Sequence, residues 1–360
     1  MSTTPSASRI GTFAAQIAPE RVHQSRHRAL RLWLYAVAAL IFAMVLVGGA
    51  TRLTDSGLSI TEWKPLLGAI PPLSEGDWQE AFHKYQQIPE YKVVNRGMSL
   101  AEFKTIYWWE WAHRFLGRII GAAFFLPFVV FWAAGTIPKP LLPRLLGIFA
   151  LGGLQGALGW YMVMSGLSER TDVSQYRLTA HLALAVLIFG AVLWTAFGLA
   201  RPARRQAPGS SLLANGAFLL VGAIFVQIML GGFVAGTHAG LAFNTWPLMD
   251  GAVVPEGLGA MQPWYRNLFE NVLTIQFNHR MMGYLIAVLA LAQAAMALRS
   301  PVALVRFSAM LLLAGVAGQI ALGVLTLLSQ VQIGLALAHQ AGAVVLFAAA
   351  LHHAFVARQP

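Results

Sequence analysis

The chain has 360 residues, of which 57% are hydrophobic and 11% charged, with a net charge of +11 and no cysteine. That composition excludes an ordinary water-soluble domain, a disulfide-stapled secreted module and any chemistry that needs a thiolate, so redox work would fall to a cofactor. The positive charge does not mark a nucleic-acid partner, because it is gathered in a tail and in short loops between long apolar runs.

Spanning a hydrocarbon core of about 30 Å takes about 20 apolar residues as a helix. Eight such runs follow one another, near 31–52, 106–134, 141–164, 174–200, 213–236, 270–297, 302–328 and 332–356. Ahead of them, residues 1–30 form a basic tail with Arg9, Arg21, Arg26 and Arg28, and Arg31 opens the first run. Lys139 and Arg144, then Arg201, Arg204 and Arg205, then Arg299 and Arg306 occupy short loops that hold no acid. By the positive-inside rule these segments and both termini face the cytoplasm or matrix, and the long loops face outward.

The chain repeats itself. GGATRLTDSGLSITEWKPL from Gly48 aligns with GGFVAGTHAGLAFNTWPL from Gly231, HRFLG from His113 with HRMMG from His279, and QGALG from Gln155 with QIALG from Gln319. His181 then pairs with His339. A repeat of four helices returns the chain to its starting side, so the halves are parallel and related by an axis along the membrane normal. The expected fold is therefore an all-α membrane protein of eight transmembrane helices in two four-helix bundles, residues 31–200 and 213–360, joined by a polar linker at 201–212.

His113, His181, His279 and His339 lie at similar depth, each about six to nine residues into its helix from the outer side. An ionisable residue inside a membrane is a functional candidate by default, and facing histidines on bundle helices are a usual way to hold a haem or a metal. A lone histidine would do no more than bond a neighbouring helix; four at matched depth in matched repeats point to two ligand pairs. Gly117, Gly121, Gly152, Gly153, Gly156 and Gly159 leave room for close helix packing or for a flat macrocycle. Arg114 and Arg280, with Arg118, are candidates for haem propionates or for lipid phosphate. His23, His27, His83, His238, His352 and His353 fall in the tail, the outer loops and the cytoplasmic end of the last helix, where water is their expected surrounding.

The halves differ where chemistry is expected. Glu110 stands one helical turn before His113, and the equivalent residue before His279 is Gln276. Residues three apart share a helix face, so Glu110 is expected to face the same cavity as His113, in a tryptophan-rich setting suited to a proton-transferring group. Arg52, Asp55 and Glu62 of the first outer loop correspond to Ala235, His238 and Thr245. One half looks equipped for reaction and the other for holding.

With GGATRLTDSGLSITEWKPLLGAIPP from Gly48, EWAHRFLGR from Glu110, TAHL around His181, FNHRMMGY from Phe277 and LAHQ around His339, nearly the whole chain resembles the haem A synthase family in its cysteine-free proteobacterial and mitochondrial form. The resemblance implies oxidation of the C8 methyl of haem O to the formyl group of haem A, the haem of terminal oxidases, with water supplying the oxygen. It implies that His113 and His181 hold the substrate haem O, that Glu110 is the catalytic glutamate, and that His279 and His339 hold a resident haem B. A bacterial inner membrane is the expected location, with the mitochondrial inner membrane as the alternative. Expected partners are membrane lipid, the farnesyltransferase that makes haem O and oxidase assembly factors, and the glycine-rich helix faces are compatible with a homo-oligomer as well as with internal packing. Two other functions share features of the sequence. A di-haem b-type, quinol-linked electron-transfer protein uses the same histidine logic but leaves the Glu110 to Gln276 difference unexplained. A transporter is suggested by the repeat alone and gives the histidines no work.

Overall fold

The structure is a computed structural model that describes residues 8–64, 67–167, 171–200 and 211–358. Ten α-helices occur among them: α1 (Ser8–Leu53), α2 (Glu75–Tyr85), α3 (Pro89–Val93), α4 (Leu100–Ala133), α5 (Leu142–Met164), α6 (Gln175–Gly198), α7 (Ser211–Gly236), α8 (Val272–Leu298), α9 (Ala303–Leu328) and α10 (Ile333–Ala357). All except α2 and α3 are long and apolar enough to cross a membrane, which gives eight spans among the described residues. An α-helix satisfies its own backbone donors and acceptors, so it is the form in which such runs can enter lipid. The linker at 201–212 lies outside the described residues as far as residue 210, and with it Arg201, Arg204 and Arg205.

Within the first half α1 packs on α4 and α6, and α5 on α6; the second half repeats this with α7 on α8 and α10, and α9 on α10. The halves join where α6 meets α7 and α1 meets α10. One hydrophobic core runs through both, from Leu34, Val37 and Ile41 of α1 through Val186 and Val192 of α6 to Leu220, Leu312 and Phe347. The two bundles are thus halves of one packed body, not separate cores on a linker.

Two helix starts differ from the sequence expectation. The first span is continuous with helix back to Ser8, within the segment read as a tail. α4 begins at Leu100, about two turns before the apolar run, because Ser99 and Glu102 form a reciprocal capping box there. With the first turn of that run, the added turns carry Phe103, Ile106 and Tyr107 into a second core with Leu58, Trp78, Phe82, Tyr85 and Ile88. The first long loop therefore folds as a compact cap on its bundle, with α2 started by its own capping box of Ser74 and Asp77.

His353 also departs from expectation. It is fully buried, with its Nδ1 2.8 Å from the Ser308 hydroxyl and its Nε2 3.0 Å from the Gln293 amide, which also donates to the Leu213 carbonyl at 2.9 Å. The helix end read as wet is packed against α7, α8 and α9, and a buried imidazole needs such partners.

Candidate functional site: two histidine pairs under unequal latches

Each bundle brings its two histidines face to face. The ring centroids of His113 on α4 and His181 on α6 are 6.5 Å apart, and those of His279 on α8 and His339 on α10 are 6.4 Å apart. Metal–nitrogen bonds of about 2 Å on either side of one ion, as imidazole ligands make, set two ring centroids about 6 Å apart, so each pair is spaced to take one metal ion between its rings. Each ring also rests on a glycine of a neighbouring helix. A Cβ at Gly48 would lie 3.1 Å from His113, at Gly159 2.9 Å from His181, at Gly231 3.3 Å from His279, and at Gly323 2.9 Å from His339. A larger residue in these seats would push the ring off its axis.

Three of the four histidines are tied by a glutamine from the preceding helix. Gln155 donates to the carbonyl of His181 at 3.0 Å, Gln319 to that of His339 at 2.7 Å, and Gln227 to that of His279 at 3.0 Å. By the repeat, the residue matching Gln227 is Met44, whose methyl contacts the Gly117 position one turn beyond His113. The sequence carried the signal for two of these in the recurring QxALG motif, and none for Gln227, which does not recur. The buried Nδ1 of His279 has no hydrogen-bond partner, which leaves that ring with unspent ligating capacity.

Above each pair sits a latch from the long loop. In the first half the Glu110 carboxylate, 2% exposed, accepts from the Ser59 hydroxyl and the Ile60 N–H at 2.7 Å each, and from Arg114 at 2.6 and 3.1 Å. Arg114 also donates to the carbonyls of Glu62 and Ile60 at 3.0 and 2.8 Å. In the second half Gln276 donates to the Ala239 carbonyl at 2.8 Å and accepts from Arg280 at 2.9 Å, while Arg280 donates to the Phe243 carbonyl at 2.9 Å. The expectation for Glu110 thus changes in kind: its carboxylate is not an open acceptor in the cavity but an anion held by four donors, one turn from His113.

The arginines divide as well. Arg114 is spent on Glu110 and the loop, whereas Nε and Nη1 of Arg280 are buried without a partner. Arg118 donates to the Lys64 carbonyl at 3.1 Å. Arg52 binds Asp55 at 2.6 Å and also reaches Nε2 of His238, so the two long loops are joined across the repeat.

The bundles differ in closure. α8 and α9 pack along their length, but α4 and α5 barely touch. A Cβ at Gly121, Gly152, Gly153 or Gly156 would meet no atom within 4 Å. These glycines are exposed and do not serve helix contact in this structure, and α4 and α5 leave an opening between them, while Gly159 seats His181.

A duplicated eight-span membrane protein with two facing histidine pairs is the class that this fold and site define. The chain belongs to the COX15-CtaA family of cytochrome oxidase assembly proteins, whose model matches residues 31–351. It is similar to proteins named "Heme A synthase": 56% identical over 91% of this chain and 93% of the relative from Azorhizobium caulinodans, 55% over 91% and 94% for Parvibaculum lavamentivorans, and 52% over 90% and 92% for Nitrosospira multiformis.

Proposed function

We propose that this chain is a haem A synthase, a membrane oxidoreductase that converts the C8 methyl of haem O to a formyl group, and that the two halves divide the work. The observation that carries this reading is the inequality of two otherwise matched sites: a buried carboxylate and an open α4–α5 cleft in one half, an amide and a closed bundle in the other. Two equivalent, permanently bound electron-transfer haems leave that difference unexplained.

The first half takes the substrate. Haem O would enter from the lipid through the opening between α4 and α5, and His113 and His181, whose rings are 6.5 Å apart, would hold its iron. Formation of the formyl group takes its oxygen from water and releases protons and electrons in equal number, the electrons leaving to an external acceptor. Glu110 is the catalytic group. Its carboxylate, fixed by Ser59, Ile60 and Arg114, is the negative end of an ion pair that needs no reorganisation when positive charge grows nearby, and in a dry site such fixed charges act far more strongly than in water. Ser59 and Ile60 belong to the loop cap, which keeps bulk water from the latch.

The second half holds a resident haem B between His279 and His339, supported by the ring spacing, the glycine seats and the unspent Nδ1 of His279. Haem B bound there would supply a one-electron redox centre. Arg280 is the propionate partner, since two of its donor nitrogens, Nε and Nη1, are buried and unused and a guanidinium fork matches a carboxylate. Arg114 has no such donors to spare, so its part in the first half is to hold Glu110. The short basic loops face the cytoplasm of a bacterial inner membrane, and the capped loops face outward.

The test is to purify the chain from cells with and without a haem O supply and to identify the bound haems by chromatography and mass. The synthase reading expects haem B in both preparations and haem O or haem A only in the first. Two haem B per chain in both would replace it with an electron-transfer cytochrome.

A further inference from the structure

Glu90 lies on the short helix α3 of the first loop cap, far from both histidine pairs in sequence, and it takes no part in the latch. It is nevertheless 4% exposed, and its Oε2 is buried with no hydrogen-bond partner. A buried charge without a partner is strongly unfavourable, so a carboxyl kept there has a neutral form to fall back on. Its neighbours join it to the site. Tyr91, next to Glu90 on α3, meets the fully buried Tyr85 of α2 edge-on at 5.7 Å, Tyr85 packs at 5.2 Å on Phe103 of α4, the helix that carries Glu110, and the Tyr85 hydroxyl accepts from Asn95 at 2.7 Å. Glu90 in turn feels Glu110 on α4, Asp55 at the end of α1, Asp172 in the loop before α6, and Arg52 of α1.

We propose that Glu90 is a proton-carrying group for the haem-methyl oxidation, exchanging protons between the Glu110 region and the aqueous phase on the side of the long loops. The proposal rests on the synthase reading. The reaction releases protons next to a carboxylate that is already held by four donors, so a second acceptor is needed to take them onward. Each cycle of Glu90 is balanced: the carboxylate takes up one proton to become the acid, and the acid returns it to outer water. Burial, then Glu110, Asp55 and Asp172, push the Glu90 carboxyl up to about 8, against the smaller opposing pull of Arg52. A relay works best when its affinity for protons lies near the operating pH. Tyr85, pushed above its ordinary range by burial, stays neutral and serves only as a hydrogen-bonding neighbour.

The experiment uses the full-length chain in detergent or in liposomes, with Glu90→Gln and Glu90→Asp beside the unmodified protein. Infrared difference spectra across a pH titration should show a protonated-carboxyl C=O band that disappears as pH rises through about 8 and is missing in Glu90→Gln. Conversion of haem O should fall about tenfold or more in Glu90→Gln with bound haem unchanged, and Glu90→Asp should restore part of the rate with a shifted pH profile. Absence of that band, or conversion by Glu90→Gln at the unmodified rate and pH profile, overturns the proposal. If the unmodified chain converts no haem O, the synthase reading has failed and this one falls with it; conversion by the unmodified chain alongside an indifferent Glu90→Gln removes only the relay.

Discussion

The two latches share a plan and differ in net charge. Each has a helix residue one turn before the ligating histidine, an arginine one turn after that residue, and loop carbonyls that receive the guanidinium. In the first half the helix residue is a carboxylate, so its charge and that of the arginine cancel inside the latch, which is neutral as a whole. In the second half it is an amide, so the arginine keeps its charge and two unused donors beside His279. A duplicated scaffold thus acquires a reacting site and a holding site through the exchange of one oxygen for one NH2. The same division recurs in the opening between α4 and α5 and in Met44 standing where Gln227 ties its histidine.

The histidines offer the largest effect with which to break this comparison. His279→Ala and His339→Ala should remove the resident haem, read as the b-type pyridine haemochrome per chain. His113→Ala and His181→Ala should keep that signal and abolish conversion of haem O. Loss of the same haem from all four variants would mean that the halves do not divide the work. Next in size is the latch swap. Glu110→Gln gives the first half the chemistry of the second; conversion should fall about 10²-fold, in line with the loss of one preorganised electrostatic group, with the haem content unchanged. Gln276→Glu should have the opposite character, pairing Arg280 internally and weakening haem retention without touching the first half.

Much of this was legible in the sequence because lipid imposes strict rules. Length and apolarity located the eight spans, and recurring HR and QxALG motifs placed the histidines opposite one another, as the ring pairs show. What was not legible depends on contacts between segments distant in the chain. Helix spacing put Glu110 on the face of His113, but the donors that bind it, Ser59 and Ile60, lie about fifty residues upstream. The loop cap was hidden because its apolar residues are shared among Leu58, α2 and the first turns of α4, none of which forms a core alone. His353 was read as wet from its place near a helix end, although α8 and α9 supply Gln293 and Ser308 to cover it.

Smaller effects separate the arginines and the glycines. Arg280→Gln should lower haem B occupancy by removing charged hydrogen bonds worth about 1.5–3 kcal/mol each, seen as faster haem loss to apo-myoglobin. Arg114→Gln should leave haem B in place and lower conversion through Glu110. On α5, Gly153→Val meets open space and should leave thermal stability close to that of the parent while slowing uptake of haem O. Gly323→Val faces the His339 ring within 2.9 Å and should lower haem B content instead. Equal uptake of haem O by Gly153→Val would close the cleft as a route.

The smallest predicted effect is a pH dependence of stability that belongs to the first cap alone. In the unfolded chain Glu90 titrates at its ordinary value of 4.5, and in the folded cap it holds its proton up to about 8. The folded state therefore binds more protons than the unfolded state across that window, and stability falls as pH rises through it. The contribution is fully present below 4.5 and is lost once pH passes about 8, where burial of the charge opposes folding. Amide exchange in α2 and α3 should accelerate between these limits beyond the intrinsic rise of exchange with pH, and Glu90→Gln should flatten that excess. The loop of the second half, with no carboxyl at a matching buried place among its described residues, should show only the intrinsic slope. An equal excess in both loops would assign the effect to the detergent or to the membrane surface, because only a group confined to one half can make the two caps respond differently.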